Sequence, residues 1–281
     1  MSISRRNFLK STAFLGGIGV LTGLYTWQVE PFWLEFVRVR MPIKNLSDQL
    51  VGKTLMQISD VHVGNMFDRH YLIDSFQKAQ LLNPDLVVYT GDFVNYESTE
   101  QFDQLDEVFD HVVKGTLGTV GVLGNHDYGK DWQEPEVAKR VIDILTQKGI
   151  QILRNQQQDL HGLHVIGLDD LWGTNFKPEL VMDKVDASAP QLVLCHNPDV
   201  ADLPLWNGYR GWILSGHTHG GQCKPPFLPP PMLPVQNRRY VAGQVDLADG
   251  RTLYINRALG HLIQVRFNVR PEITVFELVK G

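Results

Sequence analysis

Seven side chains able to ligate a metal stand at the ends of five short apolar runs. Leu55–Ser59 leads into Asp60 and His62, and Leu86–Gly91 leads into Asp92. Val120–Gly124 leads into Asn125-His126-Asp127, Leu192–Cys195 into His196, and Ile213–Gly216 into His217-Thr218-His219. Any one of these is a weak signal, because an Asp after a strand commonly caps a helix and a lone His is commonly a hydrogen-bonded structural residue. As a set they comprise four imidazoles, two carboxylates and one carboxamide, with no thiolate. That mixture suits Mn, Fe or Zn better than Ca or Mg, which prefer shells of oxygen. Seven donors exceed a single tetrahedral catalytic site with its three protein ligands. They suit two ions sharing one bridging carboxylate, the arrangement that clamps an in-line displacement at phosphorus.

The elements that position these residues follow from the pattern between them. Lys53–Ser59, Asp85–Thr90 and Thr119–Leu123 read as strands. Arg69–Leu82, Glu100–Val113 and Pro135–Lys148 read as helices, the last with Pro in its first turn and Gly149 as its stop. Further strands are expected at Ile150–Leu153, His164–Leu168, Gln191–Cys195, Trp212–Leu214, Thr252–Asn256 and Ile273–Leu278. Strands alternating with helices imply a mainly parallel α/β core, and the strand-rich second half implies a second sheet packed on the first. Ligands of such sheets collect beyond the carboxyl ends of the strands, so the five run ends converge. Asp60/His62 and His217/His219 are i, i+2 pairs that an extended chain would aim to one side. Gly91, Gly124 and Gly216 directly precede ligand-type residues, where a missing Cβ permits a sharp turn.

Composition narrows the class. The 281 residues hold 26 Lys+Arg against 31 Asp+Glu, a net charge of −5, so nucleic acid is not an expected partner. With 43% hydrophobic residues the chain can build a large core. Two cysteines exclude a disulfide scaffold. Residues 1–29 stand apart: Ser4-Arg5-Arg6-Asn7-Phe8-Leu9-Lys10 precedes an uncharged stretch from Ser11 to Val29. This reads as a twin-arginine export signal or an uncleaved membrane anchor, with Tyr25, Trp27, Phe32 and Trp33 as interfacial aromatics. Residues 30–50 then read as a linker and 51–281 as the catalytic domain, working outside the cytoplasm, tethered to the membrane or released.

The ordered motifs Asp-x-His, Gly-Asp, Gly-Asn-His-Asp, a single His and Gly-His-x-His resemble the calcineurin-like metallophosphoesterase superfamily over about residues 53–220. Gly216–Gln222, Leu253–Gly260 and Pro271-Glu272-Ile273, with the twin-arginine start, are similar to its exported or membrane-tethered YkuE/YaeI-type branch. The fold implied is a four-layer α/β/β/α sandwich with two central sheets. The resemblance implies that Asp60, His62, Asp92 and His219 hold one ion, and that Asp92, Asn125, His196 and His217 hold the other, with Asp92 bridging. It implies in-line attack on phosphorus by a metal-bridging hydroxide, with His126 at the leaving-group oxygen. Asp127 either orients His126 or caps the segment that follows.

The remaining signals concern substrate. Gln222–Arg239 is a long loop with six prolines and the apolar side chains Phe227, Leu228, Met232 and Leu233. It is either a packed cover for the second sheet or a lipid-facing rim; Lys224, Arg238 and Arg239 are candidate phosphate contacts or solvated surface. His261 reads as structural, and His70, His111, His161 and His164 as surface or sheet residues. Cys195 and Cys223 are expected as unpaired thiols. The expected function is hydrolysis of a phosphate ester or diphosphate, with a lipid-linked compound of the UDP-diacylglucosamine type as an example. The alternative is a silent binding scaffold, but scaffolds shed ligands and none is missing here.

Overall fold

Two six-stranded sheets lie face to face in the computed structural model, which describes residues 5–186 and 188–281. The first has the order β1-β12-β2-β3-β4-β5, formed by β1 (Glu35–Ile43), β2 (Thr54–Ile58), β3 (Leu86–Thr90), β4 (Gly118–Val122), β5 (Gln151–Ile152) and β12 (Glu272–Lys280). All its pairings are parallel except β12 with β2. The second has the order β10-β11-β9-β8-β7-β6, formed by β6 (Gln156–Leu160), β7 (Leu163–Gly167), β8 (Gln191–Leu194), β9 (Gly211–Ser215), β10 (Gly243–Asp246) and β11 (Arg251–Ile255). Its four middle strands are parallel and its two outermost are antiparallel.

The layers follow from where each element puts its apolar face. Helices α2 (Arg69–Gln80), α3 (Glu100–Phe109) and α4 (Pro135–Gln147) bury Leu72, Phe76, Leu105, Phe109, Val141 and Leu145 against the outer face of the first sheet. Leu55, Val88, Val120, Val165, Leu192, Leu214 and Phe276 fill the space between the sheets. The outer face of the second sheet is covered by the short α5 (Glu179–Met182) and a 3₁₀ turn at Pro198–Asp202. This is the α/β/β/α sandwich the motifs imply. Each fully buried large side chain in these layers stabilises by about 1.5–3 kcal/mol. One polar rivet joins the sheets beneath the strand ends: Gln57 Nε2 donates to Ser215 O of the second sheet (3.0 Å), and also to Thr90 Oγ1 on the neighbouring strand of its own sheet (3.0 Å).

The expected elements appear with ends shifted by a few residues, the largest shift being α3, which stops at Phe109 rather than Val113. The linker reading of residues 30–50 is corrected. Glu35–Ile43 is an edge strand paired in parallel with β12 along all nine residues, from Glu35↔Glu272 to Ile43↔Lys280. Its alternating arginines, Arg38 and Arg40, and its Pro42 hide it from the pattern, yet charge and proline are what an edge strand tolerates. β6 and β10 also lie outside the expected set. Gln222–Arg239 has no helix and no strand beyond a single bridge from Cys223 to Phe267.

Before β1 runs α1 (Arg5–Leu24), exposed on all its described faces, then a π-helical turn at Tyr25–Val29 and a 3₁₀ turn at Glu30–Phe32. Ser4 lies outside the described residues. By length and composition, Arg5–Phe32 could cross a membrane. Its end is fastened to the domain: Arg266 N–H donates to Thr26 O (3.0 Å), Val269 N–H to buried Glu30 Oε1 (2.5 Å), and Arg270 stacks over Trp33 at 4.3 Å.

Candidate metal centre

Every one of the seven expected ligands sits just past a strand end, and every one is buried. Five of them lie in the left-handed backbone region: Asp60 (φ 53°), His62 (50°), Asp92 (54°), His217 (71°) and His219 (51°). Such conformations are uncommon for residues with a Cβ and concentrate at functional sites. The i, i+2 pairs are therefore not extended, which corrects the expectation. Asp60 and His62 do point to one place, but His217 and His219 part company. Neighbouring backbone holds these turns. Asp60 N–H donates to Gly91 O (2.9 Å), His62 N–H to Asp92 O (3.0 Å), Leu259 N–H to Ser59 O (2.9 Å) and Gly260 N–H to Asp60 O (2.8 Å).

The glycines have a different duty from the expected one. Of the three, only Gly91 is left-handed (φ 88°). At Gly124 a Cβ would lie 2.2 Å from Asp92 Oδ1, and at Gly216 it would lie 2.0 Å from Ser59 Oγ and 2.1 Å from Asp60 Oδ2. These two glycines make room for a carboxylate rather than for a turn.

Two groups of donors result: Asp60 with His62 and His219, and Asp92 with His196 and His217. Within the first, His62 Nε2 and His219 Nε2 stand 3.0 Å apart, and His219 Nε2 is 3.3 Å from Asp60 Oδ1. Within the second, His217 Nδ1 and His196 Nε2 stand 3.1 Å apart, and His196 Nε2 is 3.1 Å from Asp92 Oδ2. The same Asp92 Oδ2 is 3.5 Å from His62 Nε2, so it lies between the groups.

The donor chemistry fits divalent cations. His196 Nδ1–H donates to Thr90 O (2.8 Å) and His217 Nε2–H donates to Pro234 O (2.9 Å). These bonds fix both tautomers and turn His196 Nε2 and His217 Nδ1 toward each other as lone pairs, the outer-shell orientation usual for metal-ligating histidines. Asn125 is buried with neither amide atom partnered: its Nδ2 calls for an acceptor and its Oδ1 for a donor or a cation. Burial opposes ionisation of Asp92, yet the imidazoles of His196, His126 and His62 hold its carboxyl well below the ordinary range. Burial likewise opposes Asp60, which His219 and His196 bring down to about 2. Burial drives His62 well below its usual value, leaving it neutral and able to ligate.

His126 is half-buried at the edge of this set. Its ring centroid is 5.1 Å from that of His62, and its backbone N–H donates to Asp92 Oδ1 at 2.9 Å. Asp127 does not hold the ring. Its Oδ1 accepts from Phe93 N–H (2.9 Å) and Val94 N–H (3.2 Å), and its Oδ2 accepts from Gly124 N–H (2.8 Å). Of the two roles expected for Asp127, neither appears: it caps the start of its own 3₁₀ turn, Asn125–Tyr128, through Gly124 N–H, and ties that turn to the loop after β3. His261 is buried against Phe67, with ring centroids 3.8 Å apart. His70, His111 and His161 are exposed, and His164 lies in β7. Cys195 and Cys223 are free. Arg238 NH2 donates to Pro230 O at 3.2 Å and so braces the proline-rich loop.

One neighbour was not found from the sequence. Asp170 is buried, its Oδ1 accepts from Trp172 N–H (2.8 Å) and Gly173 N–H (3.1 Å), and its Oδ2 has no partner. Burial pushes its carboxyl up to about 7. Only the doublet Asp169-Asp170 after β7 could have signalled it, by analogy with the other strand ends.

Strand-end carboxylates and imidazoles gathered between two sheets define a metal-dependent phosphoric ester hydrolase. The chain belongs to the calcineurin-like phosphoesterase family, whose model matches residues 53–221. It is 31% identical over 282 residues to phosphodiesterase YaeI of Escherichia coli, covering 99% of this chain and 100% of that one. It is 30% identical to the metallophosphoesterase YkuE of Bacillus subtilis, over 98% of both chains. It is 28% identical to the UDP-2,3-diacylglucosamine pyrophosphatase LpxG of Chlamydia muridarum, over 95% of this chain and 97% of that one.

Proposed function

We propose that the chain hydrolyses a diester or diphosphate carrying a lipid, at a centre for two ions of Mn, Fe or Zn. Asp60, His62 and His219 would hold one ion, Asn125, His196 and His217 would hold the other, and Asp92 would serve both. The observation that carries this is the position of Asp92 Oδ2, 3.5 Å from His62 Nε2 and 3.1 Å from His196 Nε2. Bound there, two divalent cations supply charge that polarises phosphoryl oxygens and lowers the pKa of water. The chain's own residues do the rest. The buried carboxylates stay ionised, Thr90 O and Pro234 O hold His196 and His217 in the ligating tautomer, and the strained strand-end turns preset the spacing so that little reorganises on reaction. His126 stands beside the centre, held at its backbone by Asp92, and delivers a proton to the departing oxygen.

The lipid part of the reading is supported by the rim. Phe227 is fully exposed, and Leu228 and Met232 are mostly so, on the loop whose Pro234 carbonyl holds His217. The LpxG relative carries the name of an enzyme acting on a diacylated sugar nucleotide. The apolar helix Arg5–Phe32 supports a tether, and Arg5-Arg6 supports export by the twin-arginine route to the periplasm or cell exterior.

The test is turnover by purified full chain, metal-stripped and then resupplied with Mn²⁺, on bis-p-nitrophenyl phosphate, p-nitrophenyl phosphate and a diacylated sugar-nucleotide diphosphate. Expected are diester turnover only with metal, close to two ions per chain by elemental analysis, and the highest kcat/KM on the acylated diphosphate. Turnover without metal, or one ion per chain at full activity, overturns the dinuclear assignment. A better kcat/KM on the water-soluble esters overturns the lipid assignment alone.

A further inference from the structure

The rings around the metal centre form a continuous arc. Centroid distances run His219–His62 4.9 Å, His62–His126 5.1 Å, His126–Trp132 6.0 Å, Trp132–Trp172 5.1 Å, Trp172–His217 4.5 Å and His217–His196 4.9 Å. Five of these seven rings are the expected ligands and His126. The other two are indoles, stacked at 18° to each other and bridging from His126 to His217. Both are half-buried, so each keeps part of its surface toward solvent.

The two indoles are held firmly in place. Trp132 takes a left-handed backbone (φ 60°), an outlier for a bulky residue and of the kind that persists at functional sites. Trp172 is fixed from below by Asp170 Oδ1, and its carbonyl accepts from Gln133 Nε2 at 2.9 Å, which ties the two loops together. Beneath them Arg154 Nε donates to Asp169 Oδ2 (2.7 Å) and Arg154 NH2 to Tyr128 Oη (2.9 Å). A cross-linked double-loop platform bearing two partly open indoles is costly to keep without a use.

We propose that Trp132 and Trp172 form a subsite for a planar conjugated group, a nucleobase in particular, on the part of the substrate that adjoins His126. Indole faces bind the π-face of any base, and one such stack changes affinity by about tenfold. The place follows from geometry: the platform touches His126 on one side and His217 on the other, so a phosphate at the metal centre has its esterified neighbour against the indoles. The inference rests on the metallophosphoesterase site for the position of the phosphate, but not on the lipid reading. A sugar-nucleotide diphosphate would then span the site, base on the indoles and acyl chains toward Phe227 and Leu228.

The test is calorimetric titration of the metal-loaded full chain with uridine 5′-monophosphate and with ribose 5-phosphate, which differ only in the base. Expected is about tenfold tighter binding of the nucleotide by the unchanged protein. In Trp132→Ala/Trp172→Ala that ratio falls to within about twofold, while ribose 5-phosphate binds as before. Trp172→Phe keeps most of the ratio. Where the double variant fails to bind ribose 5-phosphate at all, Trp172→Leu decides, since leucine fills space without a π-face. Loss of the ratio there supports the subsite. Equal affinities in the unchanged protein, or a ratio that survives in the double variant or in Trp172→Leu, overturn it. Failure of metal-dependent diester turnover would instead strike the phosphoesterase reading.

Discussion

The floor of the site and the loop that borders it are built on opposite principles. The floor is made of strand-end turns so closely packed that Gly124 and Gly216 leave no room for a Cβ, and every ligand in it is buried. The border, Gln222–Arg239, leaves Phe227, Leu228 and Met232 in solvent and takes its stiffness from prolines rather than from a ladder of hydrogen bonds. The two meet at His217 Nε2–H to Pro234 O and, where the loop leaves the floor, at Gln222 N–H to His219 O. The contrast teaches a division of labour. Chemistry is fixed where nothing can move, and the proposed selection of substrate falls to surface that can change without disturbing a ligand.

The sharpest way to break the floor is Asp92→Ala. It removes the carboxylate lying between the two donor groups, and the loss should far exceed the about 10–100-fold typical of an outer-shell change. His62→Ala should weaken one group only and be partly rescued by excess Mn²⁺. Activity assays across a metal titration check this: greater activity of Asp92→Ala than of His62→Ala at saturating metal contradicts the bridging place of Asp92.

Next in size is His126→Ala, which should cost about 10²–10⁴-fold in turnover and leave metal content unchanged. The loss should be greatest with alkoxide leaving groups and least with nitrophenolate, which needs no proton. A series of leaving groups, with elemental analysis of the variant, separates an acid from a structural ring. Equal losses across the series sink the acid role.

On the border, Phe227→Ser/Leu228→Ser should leave bis-p-nitrophenyl phosphate turnover intact. On an acylated diphosphate kcat/KM should fall more than tenfold, since each apolar side chain contributes roughly 1.5–3 kcal/mol when buried. Equal losses on both substrates would make the loop structural and erase the contrast.

The smallest effect concerns stability with pH. Burial first, then the positive charge of Arg266 and the nearby His219, lowers His261 to about 3. Unfolded, a histidine takes a proton near 6.5. Above that pH both states are neutral and His261 adds no pH dependence. As pH falls from 6.5 toward 3 the unfolded chain gains a proton that the native chain refuses, and stability drops by up to about 1.4 kcal/mol per pH unit. His261→Leu should flatten that slope in urea midpoints measured from pH 7 to 4, with activity at pH 7 little changed. A slope identical to that of the unchanged protein would refute it.

The floor was legible in the sequence because each ligand follows an uninterrupted apolar run. A run such as Leu86-Val87-Val88-Tyr89, β-branched and apolar on both faces, belongs in the interior of a sheet, and the first polar side chain after it marks the strand end. The edge strand was not legible, since Glu35-Phe36-Val37-Arg38-Val39-Arg40 is half solvated and carries its charges outward. Nor were the left-handed ligands: backbone sign is set by contacts from Gly91, Leu259 and Gly260, far away in sequence. Trp132 and Trp172 come from two loops with no shared spacing, so their stacking exists only in three dimensions.

The pairing of β12 between β1 and β2 has a consequence for how the chain is born. Strand β12, Glu272–Lys280, occupies the interior of the first sheet, with Gly281 N–H donating to Ile43 O just beyond it. Until residues 272–280 have left the ribosome, β1 and β2 have no partner on the sides that will face β12, and both present open edges prone to stray pairing. The first sheet therefore closes only once β12 is made, in one late, long-range step of the kind that folds slowly. A chain truncated before Glu272 would keep every metal ligand and still lack the strand that joins its beginning to its catalytic half.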